Sequence, residues 1–300
     1  MSGPSVVVEC EGLAHPEGPA VLSDGRLVFV ESFRGQVSQW GPGEDVHPFS
    51  LCGGTPNACA IGTDGVYVTQ MGSTEVPIRR TGRIGPSIQK VDWEGNVRAV
   101  VTQVGGQPLR APNDLCFGSR GTLCFTDPGP FSLTDPADGY IFSVFEDGSC
   151  DFALNVGPVF PNGIAALSDD SVVWVESYTR RVMRRASDGS VDEIAILGEG
   201  HMPDGFKVGV DEALYIATIS SGGIDVVGLD GTVRAFIDTG GEPLNCVFVG
   251  RNLYVADGGL VPYTDPASRT ANAGRLLLVE VGVEGMPLFT GNIVEESSSG

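Results

Sequence analysis

The sequence predicts an all-β fold, a six-bladed β-propeller with four-stranded blades around a central channel, and three observations carry that prediction. Glycine and proline number 43 and 20 among 300 residues, a composition that asks for many turns and few helices. A short motif joining a proline to a carboxylate or carboxamide recurs along the chain at the period of propeller blades. Each copy is followed, at a nearly constant offset, by a turn and then a run rich in β-branched and aromatic residues.

The copies are Pro16-Glu17-Gly18, Pro56-Asn57-Ala58, Pro112-Asn113-Asp114, Pro161-Asn162-Gly163 and Pro203-Asp204-Gly205, with Leu244-Asn245-Cys246 as a sixth that lacks the proline. Their central residues lie 40, 56, 49, 42 and 41 positions apart. Seven and eight residues beyond each centre come Asp24-Gly25, Asp64-Gly65, Arg120-Gly121, Asp169-Asp170 and Asp211-Glu212; in the sixth copy Arg251-Asn252 falls one earlier. The runs LVFVE, VYVTQ, LCFTD, VVWVE, LYIAT and LYVAD follow, starting at Leu27, Val66, Leu123, Val172, Leu214 and Leu253. Acidic-glycine turns at Glu94-Gly95, Asp147-Gly148, Asp188-Gly189 and Asp230-Gly231 mark a second hairpin in most repeats. Two hairpins make four strands, and closing six such sheets into a ring shields their edges. Residues Ser5 to Cys10 are expected to complete the last blade beside Arg275 to Val281, and residues 1–300 read as one domain.

Charge and composition narrow the function. Asp and Glu outnumber Lys and Arg by 38 to 18, a net charge of -20, which makes nucleic acid and anionic bilayers poor partners and a divalent cation a good one. No stretch of 18 apolar residues occurs, and Met1 to Cys10 has neither a basic nor an apolar signal region. The seven cysteines form no CxxC pair, as in reduced, buried thiols. A cytoplasmic location without a membrane is the expectation, and no protein partner is inferred. Neither a G-x-S-x-G elbow nor a phosphate-binding glycine loop is present.

Strand order within a blade places all six motifs on one face of the ring, together with every loop between second and third strands. That face carries the long insertions, Met71 to Gln89, Gly129 to Gly139 and Gly258 to Gly274, as expected where a rigid scaffold presents a site on loops. Glu17, Asn57, Asn113, Asn162, Asp204 and Asn245 are expected to converge on the channel there. Ordinary turn chemistry explains any one motif. It does not explain an amide or carboxylate at all six positions, and the two formal charges need a cation to offset repulsion and lost hydration. Oxygen ligands favour Ca²⁺, with Mg²⁺ or Mn²⁺ next; Zn²⁺ usually takes nitrogen or sulfur but can load an oxygen site. The second-strand ends Glu31, Gln70, Asp127, Glu176, Thr218 and Asp257 form another polar ring on this face, and Glu31, Asp127 and Glu176 are candidates to orient ligands. His15 and His201 lie close to Glu17 and Asp204 and read as structural.

The segments EGPAVLSDGRLVFVE from Glu17, PNDLCFGSRGTLCFTDP from Pro112, PNGIAAL from Pro161 and PDGFKVGVDEALYIAT from Pro203 resemble, in that order and spacing, the SMP-30/gluconolactonase family of six-bladed propellers. A more distant likeness extends to paraoxonase and diisopropylfluorophosphatase. The resemblance implies a lactone hydrolase acting on a sugar or similar small lactone. It implies one divalent metal held by Glu17, Asn162 and Asp204, with Asn113 contacting substrate or completing the metal shell. Asp204 is then either the general base or purely a ligand. Some family members place a substrate-binding arginine two residues before that Asn, where this chain has Ala111; Arg110, three before, is the candidate here, with Arg79, Arg80 and Arg83 as other loop cations. Organophosphate hydrolysis on the same constellation, or an interaction platform with a structural metal, are the alternatives.

Overall fold

The computed structural model describes residues 3–73, 84–259 and 272–294, and among them every regular element is a β-strand. Four-stranded antiparallel sheets form six blades. From the channel outwards they run Pro16–Val21, Leu27–Glu31, Gln36–Trp40 and His47–Leu51 in blade 1, then Pro56–Ile61, Val66–Gln70, Ser87–Val91 and Val97–Val101 in blade 2. Blade 3 comprises Leu115–Phe117, Leu123–Asp127, Gly139–Val144 and Cys150–Gly157, and blade 4 Pro161–Ala166, Val172–Glu176, Arg181–Arg185 and Val191–Ile196. Blade 5 is Pro203–Val208, Ala213–Thr218, Gly223–Gly228 and Val233–Asp238. Blade 6 is Pro243–Val249, Asn252–Asp257 and Gly274–Val279, completed by the N-terminal strand Val6–Leu13 as predicted, with Val6 opposite Val279. This seam ties the two ends of the chain into one sheet.

Innermost strands touch their neighbours all the way round. The apolar core is divided accordingly, one buried cluster lying between each adjacent pair of blades. Between blades 1 and 2, for example, Val28, Val30 and Val37 meet Cys59, Val66 and Val68, all buried. Second strands such as Leu27–Glu31 and Val172–Glu176 are buried along their whole length, so both faces of a sheet are covered. All seven cysteines are free thiols.

Three details differ from the expectation. Ser87–Val91 takes in Gln89, so the blade 2 insertion ends sooner than Gln89; its Arg79, Arg80 and Arg83 lie outside the described residues. A small extra hairpin, Gln103–Val104 with Gln107–Pro108, precedes blade 3 and shares with that insertion the responsibility for the longest motif spacing. The sixth repeat does have its proline, Pro243, two residues before the asparagine instead of one.

The face opposite the motifs is closed by the segment after the last strand. Val210 N–H bonds Glu284 O, Met286 N–H bonds Val208 O, Phe289 bridges Phe117, Thr63 N–H bonds Gly291 O, and Ile293 N–H bonds the Tyr67 hydroxyl at 2.7 Å. The segment thus crosses from blade 5 to blades 3 and 2, and Ile293 joins the core between the last two. Ile293→Ala should cost about 2–4 kcal/mol by leaving a cavity. Denaturant unfolding with a change below about 0.5 kcal/mol would show the segment undocked.

Candidate metal centre

Five of the six innermost strands begin in the same way. A proline pairs with the polar residue that ends the second strand, Pro16 with Glu31, Pro56 with Gln70, Pro161 with Glu176, Pro203 with Thr218 and Pro243 with Asp257. The pairing register then slips within the next residues. Proline has no N–H to lose at that position, and a bulge re-aims the side chains beside it. The residues so released are the motif centres. Blade 3 reaches the same end otherwise: Asn113 precedes its short inner strand and donates its N–H to Thr126 O at 2.9 Å.

The glycines after these centres serve packing more than turning. Gly18 has φ +47°, and a Cβ there would lie 2.1 Å from Ala58 Cα; one on Gly163 would lie 2.5 Å from Asp204 O. Removing the side chain lets the inner strand of one blade press against the next, which draws Glu17 and Asn162 towards the axis. Gly18→Ala should therefore destabilise by about 2–4 kcal/mol and weaken ion binding at least tenfold. Unchanged melting and binding would show that the close approach is dispensable.

Glu17, Asn113, Asp114, Asn162, Asp204 and Asn245 are all buried, and Asn57 is half-buried. Burial pushes the Glu17 carboxyl well above the usual carboxylate range, and the charges of Asp204 and Asp114 push it further. Burial does the same to Asp204, reinforced by Asp114 and partly opposed by a hydrogen bond from Asn162. Asp114 is itself raised by burial. Three carboxylates therefore feel one another in a space that disfavours their charged forms.

The amides divide into two groups. Asn57 Nδ2 donates to Asn113 O at 3.2 Å, and Asn245 Nδ2 to Asp114 Oδ2 at 3.3 Å, so these two build structure. Asn162 Nδ2 is held by Ser177 Oγ at 3.1 Å, yet its Oδ1 is buried without a hydrogen-bond partner, and so is Asn113 Oδ1. Two orphaned carbonyl oxygens next to two raised carboxylates are the chemistry of a hard-cation site. Among the described residues no three His, Cys, Asp or Glu side chains are grouped so as to hold an ion, and any ion here would draw on amide oxygens as well. The residues present thus fit a divalent ion on oxygen ligands, which Glu17, Asn113, Asn162 and Asp204 would hold. Asp114, buried within the Asn-Asp motif, is the member that sequence reasoning passed over; its apolar flanks Leu115 and Cys116 gave the only hint.

The ring of second-strand ends is committed to loops. Glu31 accepts from Ala14 N at 2.9 Å, Gln70 Oε1 from Thr55 N at 2.7 Å, and Asp127 from Arg110 N at 2.9 Å and Ala111 N at 2.8 Å. Each bond fixes the backbone two or three residues before a motif centre, so these groups position Glu17, Asn57 and Asn113. Glu176 is occupied by Thr179 and Trp174, and Asp257 by Arg275 at 2.8 Å.

Arg110 is likewise fastened. Its guanidinium bonds the carbonyls of Asp127 and Asp138 and lies 5.3 Å from the Tyr140 ring centroid, tying down the blade 3 insertion. That insertion brings Phe131, still 42% exposed, against Phe160 and Tyr178, each ring pair 5.1 to 5.5 Å apart, beside Asn162 and its partner Ser177. His15 is half-buried and stacked on Phe33, and desolvation pushes its imidazole down to about 4. His201 Nδ1 is 2.7 Å from Asp225 Oδ2.

Residues 15–257 match the family described as SMP-30/Gluconolactonase/LRE-like region. No curated protein sequence matches the chain. Among solved structures, a luciferin-regenerating enzyme superposes with a TM-score of 0.75 at 17% identity, covering 98% of this chain and 100% of that one. A gluconolactonase from Xanthomonas campestris gives 0.72 at 21% identity, covering 92% and 89%, and a calcium-binding regucalcin from Agrobacterium tumefaciens gives 0.71 at 17%, covering 98% and 97%. At such identities these likenesses show the propeller fold. The family match spans the motifs of blades 1 to 6 and most of the chain, so the protein belongs to the SMP-30/gluconolactonase/LRE-like family.

Proposed function

We propose that the protein is a divalent-metal-dependent hydrolase that opens a sugar or related small lactone. The observation that carries this reading is the pair of buried, unpartnered amide oxygens of Asn113 and Asn162 beside the carboxylates of Glu17 and Asp204. Family membership and the gluconolactonase and regucalcin neighbours support it. A bound divalent cation, Ca²⁺ first among the candidates, supplies Lewis acidity that polarises the lactone carbonyl and eases deprotonation of water.

The chain's own residues do the rest. Asp204, buried and hydrogen-bonded by Asn162, accepts a proton from water as the water oxygen bonds to the carbonyl carbon, and returns it to the ring oxygen when the C–O bond breaks. Ser177 holds the Asn162 amide so that its oxygen stays turned to the ion. Phe131, Phe160 and Tyr178 offer an apolar wall to the C–H face of a small ring. The partner in this reading is a small molecule met in the cytoplasm, with no nucleic acid, membrane or protein required.

Chelator-treated protein assayed on a lactone panel, with Ca²⁺, Mg²⁺, Mn²⁺ and Zn²⁺ returned separately, tests the proposal. Turnover restored by one of them is the expected result. Faster turnover of organophosphate esters would move the assignment to phosphoester chemistry, and folded protein inactive on every substrate would make the ion structural.

A further inference from the structure

The centre holds three buried carboxylates, Glu17, Asp114 and Asp204, and a divalent ion brings only two positive charges. Lys207 lies three residues beyond Asp204 on the innermost strand of blade 5 and is half-buried. Its Nζ donates to Phe206 O at 3.1 Å and to Asn245 Oδ1 at 3.4 Å. That amide oxygen also accepts from Cys246 N at 2.8 Å, which fixes the orientation of the Asn245 side chain. Its nitrogen end then faces the carboxylates, bonding Asp114 Oδ2 at 3.3 Å and also reaching Glu17. Asn245 is thus a polar bridge with an ammonium at one end and two carboxylates at the other. The positive charge of Lys207 also opposes the effect of burial on Asp114. Glu242 acts on Asp204 too, but unlike the three carboxylates counted above it is only half-buried, as Lys207 is.

We infer that Lys207 is the third positive charge of this centre: bridged by Asn245, it compensates Asp114 and leaves a net two negative charges for the ion, so the site discriminates for divalent over trivalent cations. This rests on the metal-dependent reading above. At any given distance and screening, a fixed charge acts on a trivalent ion half as strongly again as on a divalent one. Removing the ammonium should therefore strengthen trivalent binding more than divalent binding.

The test is ion titration of chelator-treated protein, with Tb³⁺ followed by its luminescence and Ca²⁺ by competition, in wild type, K207M, K207R and the double variant K207M/D114N. K207M should raise the preference for Tb³⁺ over Ca²⁺ by about tenfold or more, K207R should keep the wild-type preference, and K207M/D114N should return towards it. A merely structural lysine would leave the preference of K207M at the wild-type value, and that result overturns the inference. If K207M does not fold, K207Q takes its place, since glutamine can still donate to Asn245 without the charge. Rescue of folding by D114N would itself support compensation; misfolding of the double variant as well would assign Lys207 to packing and overturn it. Wild type that binds no ion saturably would sink this inference and the metal-dependent reading together, whereas binding with an unchanged preference sinks this one alone.

Discussion

Asp204→Asn should lower lactone turnover by about a thousandfold while weakening the ion by no more than about tenfold. The amide keeps an oxygen for the ion and nearly the same shape, but it cannot take a proton from water, and positioned general bases contribute about 10²- to 10⁴-fold. Asp204 is suited to that task by position: it is buried at the start of the innermost strand of blade 5, and Asn162 hydrogen-bonds its carboxylate. Steady-state kinetics at saturating ion, with ion affinity measured separately by calorimetry, divide the two roles. If kcat stays within tenfold of wild type once the ion is saturating, Asp204 is a ligand only and another base is needed. His201 would then be examined next, because Asp225 already orients its ring.

Removing the ion should destabilise the protein in a way that grows with pH. Glu17, Asp114 and Asp204 have folded-state proton affinities above their ordinary values of 4.5, 3.8 and 3.8. Below about pH 3 these groups are protonated in folded and unfolded chains alike, and nothing is lost. Above it the unfolded chain releases protons that the folded chain retains, so stability without the ion falls as pH rises from the unfolded values to the raised folded ones. A bound cation reverses the sign of the local field and cancels that loss. At pH 8, with the ion at about a hundred times its Kd, the melting temperature should rise by roughly 5 °C on adding it. The increment should be much smaller at pH 5, where protons compete for the same oxygens. Thermal melts from pH 5 to 8, with chelator and with Ca²⁺, check this; an increment equal at every pH would mean that these carboxylates do not hold the ion. Glu17→Gln should flatten the pH dependence of the chelated protein.

Much of this architecture was legible because it is periodic. The six motif copies and their constant distance to the next turn set the blade number, and the run from Ser5 to Cys10 had an evident vacancy to fill beside Arg275 to Val281. The list of axis residues was legible for the same reason, since Glu17, Asn113, Asn162 and Asp204 are equivalent places in a repeat. What each one does was not. Asn57 and Asn162 are both asparagines after a proline, yet one spends its amide on a neighbouring carbonyl and the other keeps an oxygen free. Glu31 and Asp127 read as ligand-orienting groups, and they act as such through the backbone of the loop that leads into the motif of their own blade. The closing segment around Ile293 has no repeat period and left no trace that a strand pattern would reveal.

The sequence alone therefore determined the six-fold β architecture, the seam that closes it and the face on which oxygen ligands gather, because these follow from short-range patterns repeated along one chain. Only the tertiary structure decided which oxygens are unpartnered, that Asp114 shares the charge of the centre, that Lys207 reaches it through Asn245, and that Arg110 is turned into a loop. Those facts depend on contacts between blades, such as the one joining Asn245 to Asp114 across 131 residues of chain. A hydrogen bond made or missed there depends on a few tenths of an ångström in how neighbouring blades pack, and no local pattern in the chain encodes that distance.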